Sequence, residues 1–275
     1  MNRTAVPIAM TIAGSDSGGG AGIQADLRTF AAFGVHGTSA ITALTAQNTR
    51  GVDAIHTTTR PFLRMQIDAV LADFRVGAIK LGMLATPALA REVVATLAAH
   101  RAIPLIVDPV LVATTGARLG TQALATTLRR DLLPRADLVT PNIPEAEALL
   151  GRRVRRNDMR AAATALLDLG ARAVLLKGGH LPGSDVSDLL LMRDGEHWFH
   201  QRRMRGEYHG TGCSLSAAIA AAIALGQTLE TAVGSAIGFV QQAMAAGYRP
   251  GKGRLRVLDH MHAGGLPVRI DAAHD

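Results

Sequence analysis

Short apolar runs of strand length alternate with helix-period segments along almost the whole chain, and no linker or shift of composition interrupts them. Strands are expected over 6–13, 39–46, 78–81, 105–107, 138–140 and 173–176, with helices over 23–33, 61–74, 86–100, 121–133, 144–150, 157–169, 213–225 and 229–246. Such alternation constrains the fold to an α/β architecture: a doubly wound, mostly parallel central sheet with helices on both faces. Segments 189–193 and 197–201 flank Asp194-Gly195-Glu196 and are expected to form a small antiparallel hairpin. One domain over 1–275 is expected.

In an open α/β sheet, ligands bind beyond the carboxyl ends of the strands, so the residues that follow each strand carry the functional signal. Here these are Gly14-Ser15-Asp16-Ser17-Gly18-Gly19-Gly20, Gln47-Asn48, Gly82-Met83, Asp108-Pro109, Pro141-Asn142 and Lys177-Gly178-Gly179-His180. The first loop meets the loosest dinucleotide pattern, G-x-G-x-x-A at 20–25, but no acidic residue lies between Leu27 and Val52 to hold a ribose. A loop that lets backbone approach a small substrate fits better. Gln47 presents a donor and an acceptor side by side, which suits a ring nitrogen and its neighbouring amino group. Asp26 is either an ordinary first-turn helix acid or a substrate partner, and Met83 either core or pocket wall. Asp108, Asn142 and Glu145 are oxygen ligands of the kind magnesium takes, and Lys177 can neutralise phosphate oxygens.

His209-Gly210-Thr211-Gly212-Cys213 precedes an alanine-rich helical run. Small residues at a helix start leave backbone N–H groups free for an anion, and the helix dipole there favours a thiolate at Cys213. A plain tight turn with a packed cysteine is the alternative reading.

With 48% hydrophobic residues and 29 glycines among 275, the chain is unlike a disordered segment or a coiled coil. A single cysteine excludes an internal disulfide, and the cytoplasm is the expected compartment. The apolar run at 5–13 leads straight into the glycine loop without a cleavage site and reads as a buried strand, and 213–225 is too short to span a membrane. Net charge is +7, concentrated in Arg152-Arg153-Val154-Arg155-Arg156 and Arg202-Arg203-Met204-Arg205. These runs admit a nucleic-acid or regulatory binding protein. Without interleaved aromatics they read instead as solvated loops, with some attraction for anionic substrates.

Taken in order, the strand-end motifs, together with Lys80-Leu81-Gly82-Met83-Leu84, Thr140-Pro141-Asn142-Ile143-Pro144-Glu145-Ala146 and Pro250-Gly251-Lys252-Gly253, resemble the hydroxymethylpyrimidine/phosphomethylpyrimidine kinases of the ribokinase-like superfamily. The resemblance implies ATP- and Mg2+-dependent phosphorylation of 4-amino-5-hydroxymethyl-2-methylpyrimidine and then of its monophosphate. By position it puts Asp26, Gln47, Met83, Val110 and Gly14 at the substrate. It puts Gly210, Thr211, Gly212, Asn142, Lys177 and Lys252 at the nucleotide and phosphates, and Asp108 and Glu145 at the metal. Cys213, Gly212 and Lys177 would be catalytic, Cys213 standing where sugar kinases of the superfamily have an aspartate base. A homodimer acting on small molecules, with neither nucleic acid nor membrane as partner, is expected. A pyridoxal-type vitamin kinase is the neighbouring alternative. Thr114-Thr115 before Gly116 and Gly206-Glu207-Tyr208 before His209 depart from the family pattern.

Overall fold

The computed structural model describes residues 6–111 and 121–263. Strands β1 (Ile8–Asp16), β2 (His36–Asn48), β3 (Gly51–Thr57), β4 (Ala78–Leu81), β5 (Leu105–Val107), β6 (Leu138–Val139), β7 (Ala173–Leu176), β8 (Asp185–Met192) and β9 (Glu196–Arg202) form one sheet, in the order β3-β2-β1-β4-β5-β6-β7-β8-β9. From β2 to β7 every pairing is parallel, so those strands share one carboxyl edge. The outer strands β3, β8 and β9 pair antiparallel. The chain leaves β1 toward β2 on one side and returns to β4 on the other, which opens a crevice at the carboxyl end of β1 and β4.

Helices α1 (Gly22–Ala32), α2 (Arg60–Asp73), α3 (Pro87–Thr96), α4 (Gln122–Thr127), α5 (Ile143–Leu150), α6 (Met159–Asp168), α7 (Thr211–Ala224) and α8 (Leu229–Ala245) cover the sheet. One apolar core packs α2 to α6 against one face, with Met10, Ile12, Ile79, Leu81, Val107 and Leu176 pointing into it. The other lies under α1, α7 and α8, with Ala9, Ala78, Ile106, Leu138 and Leu175 pointing that way. Alternate residues of each strand serve opposite faces, which is why the short strands read as continuous apolar runs. In α7 the buried residues run unbroken from Ser214 to Ala222. Its alanines carry only methyl groups, so it packs closely on β1, β4 and β5.

Local chemistry sets the helix starts. Thr59, Thr86, Thr121 and Thr228 each accept a backbone N–H at the start of a helix, each cap contributing about 1 kcal/mol. Proline in the first turn of α2 and α3 matches the sequence expectation.

Two helix expectations need correction, and one strand lies where none was expected. Strand β3 has no apolar alternation because it is an edge strand with a mostly exposed run from Asp53 to His56, and nothing in its sequence marked it. The helix expected over 121–133 is regular only to Thr127 and continues as a wider π turn over Leu128–Leu132. The helix expected over 157–169 is regular only over Met159–Asp168, because Asn157 lies inside a 3-10 turn, Arg156–Asp158. The expected hairpin is present and longer, and β8 pairs with β7, so it extends the main sheet. Thr114, Thr115 and Gly116 lie outside the described residues.

The arginine runs are mostly tied to the protein itself. Arg153 pairs with Glu147, Arg156 donates to the Pro182 carbonyl, and Arg203 donates to the carbonyls of Gly179, Leu181 and Gly183. A short parallel ribbon of β10 (Tyr208–His209) and β11 (Arg256–Val257), followed by α9 (His260–Ala263), closes the carboxyl edge. No helix among the described residues is long and apolar enough to cross a membrane.

Candidate active site

The crevice at the carboxyl edge is a cavity of about 720 Å³, a size suited to a small-molecule site. One end is walled by Gly14 at the end of β1, Gln47 at the end of β2, Met83 after β4 and Val110 after β5. The other end carries Val186 of β8 and Ile237, Val240 and Met244 of α8. Between them lie Asp108, Asn142, Glu145 and Lys177 on one side and 210–213 on the other.

The 210–213 segment is built for close approach. Gly210 precedes α7 with φ +86°, and a Cβ there would collide with the Gly20 carbonyl oxygen, so the helix start presses onto the first glycine loop. A Cβ on Gly212 would come 3.2 Å from Lys177 Nζ and 3.6 Å from Asp108 Oδ2. A side chain at 212 would crowd the Lys177 ammonium, so the glycine brings the first turn of α7 close to that group. The N–H groups of the first turn of α7 lack partners within the helix and face the same space as the Lys177 ammonium.

Lys177 Nζ donates to Asp108 Oδ1 at 3.2 Å. Burial works against the ammonium, but Asp108 and Glu145 hold it above its ordinary value. Glu145 is pushed up to about 7 by burial and by Asp108, with Lys177 opposing. Asn142 and Glu145 form a reciprocal cap at the start of α5: the Asn142 side chain accepts from the Glu145 N–H at 2.9 Å, and the Glu145 carboxylate accepts from the Asn142 N–H at 2.8 Å. Glu145 is thus both the acid that caps the helix start and a carboxylate of the cavity.

The structure corrects three site expectations. Asp26 does not reach the cavity wall. Its carboxylate is fully buried beneath it, taking both oxygens to Lys80 Nζ at 2.9 and 2.8 Å and accepting from Thr11 at 2.6 Å. Lys252 is exposed and lies away from the cavity lining, on a loop whose Gly253 N–H donates to Thr49. The Cys213 thiol is not a resting thiolate: burial pushes it up to about 11, with Asp26 and Asp108 adding to the shift and Lys80 opposing it. The helix dipole is too weak to reverse that.

Asp16 and Lys80 are site residues the sequence reading left unassigned. Asp16 gathers the glycine loop, accepting from the N–H groups of Gly18, Gly20 and Ala21 and pairing with His209 at 2.9 Å. Lys80 was legible as a charge inside an otherwise apolar strand, Ala78-Ile79-Lys80-Leu81. Gly206, Glu207 and Tyr208 line the cavity, and the Glu207–Arg254 ion pair ties them to the segment before β11.

A family model described as phosphomethylpyrimidine kinase matches residues 16–258. The chain belongs to the phosphomethylpyrimidine kinase family. Within that family it is 44% identical to the hydroxymethylpyrimidine/phosphomethylpyrimidine kinase of Streptomyces coelicolor, over 92% of this chain and 94% of the relative. It is 45% identical to the thiamine biosynthesis bifunctional protein ThiED of Geobacter sulfurreducens over 89% of this chain, but spans only 50% of that longer protein. Among solved structures, the pyridoxal kinase of Staphylococcus aureus in complex with AMP-PCP and pyridoxal superposes with a TM-score of 0.86 at 31% identity, covering 94% of this chain and 95% of the other. The expected ribokinase-like α/β fold and kinase family are thus both present in this phosphomethylpyrimidine kinase family member.

Proposed function

We propose that the chain transfers the γ-phosphoryl group of ATP to the hydroxymethyl group of 4-amino-5-hydroxymethyl-2-methylpyrimidine, and then phosphorylates the monophosphate to the diphosphate. The observation that carries this reading is the two-ended cavity, with a cradle of backbone N–H groups and Lys177 between its ends. The Gln47 end takes the pyrimidine, Met83 and Val110 sandwiching its ring. The apolar end on β8 and α8 takes the adenine. Thr211, Gly212 and Lys177 then lie along the phosphates, where phosphoryl transfer needs positioning and charge stabilisation more than covalent help.

In the first reaction the substrate hydroxyl oxygen forms a bond to the γ-phosphorus as the bond to the β-phosphate oxygen breaks and ADP leaves. The hydroxyl proton goes to Cys213, which acts from its minor thiolate form. In the second reaction the nucleophile is a phosphate oxygen that is already anionic, and no base is required.

Asp108 and Glu145 are carboxylates that line the cavity beside Lys177, and among the described residues no group of three acidic, histidine or cysteine side chains converges on a metal site. That donor set suits an ion held chiefly by phosphates and water. Magnesium bound there would neutralise charge on the phosphates, and Asn142 would help orient its water shell. One kinase domain working in the cytoplasm completes the reading.

Incubation of the chain with ATP, magnesium and each pyrimidine, with product identification by 31P NMR, is expected to show the monophosphate and then the diphosphate. Failure to phosphorylate either would refute the reading. The likeness to a pyridoxal-bound kinase supports a second activity on pyridoxal, and competition between the two substrates measures their rank.

A further inference from the structure

The carboxamide of Gln47 lies with one end 3.0 Å from His209 Nε2 and the other 3.2 Å from Thr45 Oγ1. Those two neighbours have other obligations. His209 Nε2 is also 2.9 Å from Asp16 Oδ2, and Thr45 Oγ1 is 2.9 Å from the Ser15 carbonyl oxygen. Proton counting then decides which way the amide faces.

With the amide nitrogen toward His209, one of two contacts fails. If His209 Nε2 carries its proton, it faces a second donor in Gln47. If it does not, it turns a bare lone pair toward Asp16 Oδ2, itself an acceptor of the Gly20 and Ala21 N–H groups. Thr45 fares no better, because its single proton would face two acceptors, the Ser15 carbonyl and the Gln47 oxygen. Turning the amide about its last bond removes every conflict. His209 Nε2–H is then shared between Asp16 and the Gln47 oxygen, Thr45 donates to Ser15, and Gln47 Nε2 donates to Thr45. Among the described residues His209 Nδ1 is buried without a partner, so no acceptor among them draws the imidazole proton away from Nε2.

We propose that Asp16, His209 and Thr45 lock the Gln47 carboxamide with its oxygen on the His209 side and its nitrogen on the Thr45 side, and that this lock selects aminopyrimidines over oxopyrimidines. The substrate part of the proposal rests on the function proposed above. The remaining oxygen lone pair accepts from an amino group, and the remaining N–H donates to the adjacent ring nitrogen. A 4-oxo analogue presents the reverse pattern, a carbonyl acceptor beside a ring N–H donor, and meets like against like at both positions. A free glutamine would simply turn over to accept it. Gln47 cannot, because turning restores the conflict at His209 and leaves the single Thr45 proton between two acceptors, the Ser15 carbonyl oxygen and the Gln47 oxygen. Thr45 and His209 are therefore positioning residues that act through Gln47.

The test is the ratio of kcat/KM for the 4-amino and 4-oxo hydroxymethylpyrimidines. Wild type is expected to favour the amino compound by roughly 10²-fold or more, as when polar groups of a site are left unpaired. In Thr45→Val the ratio should fall at least about tenfold by gain of the oxo compound, and Thr45→Ser, which keeps the hydroxyl, should restore it. An unchanged ratio in active Thr45→Val protein would overturn the lock. The lock also has a readout that needs no substrate: in the 15N spectrum of ligand-free enzyme, the imidazole signals lost in His209→Gln should report protonation at Nε2. A proton on Nδ1 would overturn the proposal even if Thr45→Val does not fold. Wild type that phosphorylates neither pyrimidine would refute the functional reading instead, leaving the tautomer to decide the lock.

Discussion

Lys80 and Asp26 meet at 2.8 Å with both side chains 0% exposed, whereas Lys177 and Asp108 meet at 3.2 Å with 13% and 2% exposed. The two pairs have the same chemistry, and both lie near the carboxyl edge of the sheet. Lys80 sits inside β4, one residue before its end, while Lys177 sits one residue beyond β7. That offset separates their roles. The inner pair is closed to solvent and saturated, with both Asp26 oxygens taken by Lys80 and one also by Thr11, and only Lys80 of the two touches the cavity lining. The outer pair faces the cavity, with Gly212 backbone against it and Glu145 beside it. One pair holds up the floor of the site, and the other is placed to act on a ligand.

Breaking the sealed pair should have the largest effect, and on stability. Lys80→Met leaves a buried carboxylate without its counter-charge, and urea unfolding should show a loss of about 3–5 kcal/mol. Adding Asp26→Leu should recover much of it, since replacing both charges by apolar groups removes the uncompensated one. The open pair should respond in the other currency of rate. Lys177→Met should lower kcat roughly 10²–10³-fold, the usual consequence of losing one donor to a developing anion, while stability falls by much less than in Lys80→Met because Asp108 borders the cavity. A large loss of stability in Lys177→Met, or a large loss of rate without one in Lys80→Met, would erase the distinction.

Cys213 lies within reach of both pairs, since Lys80, Asp26 and Asp108 all act on its thiol. Cys213→Ala should slow the first phosphorylation by roughly 10²-fold, as for loss of a general base, and leave the second nearly unchanged. The pH dependence has a definite sign. Base catalysis requires the thiolate, so with a thiol at about 11 the first-step kcat in wild type should rise with pH across the neutral range. The second step and Cys213→Ala should lack that rise. Equal losses in both steps would assign Cys213 to structure. The smallest effect belongs to Lys252→Ala, which should change neither KM nor kcat by more than about twofold, as is usual for a surface substitution away from the site; a large rise in KM for ATP would bring Lys252 into the site.

Much of the architecture was legible because most strands that carry the site are buried on both faces and are followed by residues that strands do not favour. Gly14, Gln47, Met83, Asp108, Asn142 and Lys177 were all found by that rule, and all line the cavity. What the sequence hid was depth. Asp26 in α1 and Cys213 in α7 have neighbours that only the fold assembles: Lys80 arrives from β4, and burial outweighs the helix dipole. β3 escaped notice for the opposite reason, since an exposed edge strand has no apolar period to read. The contacts of Gln47 with His209 and of Gly212 with Lys177 join positions far apart in the chain, and no spacing rule could have shown them.

The most direct test of the division between the two pairs is single-turnover phosphoryl transfer to the hydroxymethylpyrimidine, measured for wild type and Lys177→Met at saturating ATP and magnesium, with binding of a non-hydrolysable ATP analogue measured alongside. Wild type should form the monophosphate and then the diphosphate. Lys177→Met should still bind the analogue but transfer roughly 10²-fold more slowly or worse. Equal transfer rates in the two proteins, or no product from wild type, would contradict the account.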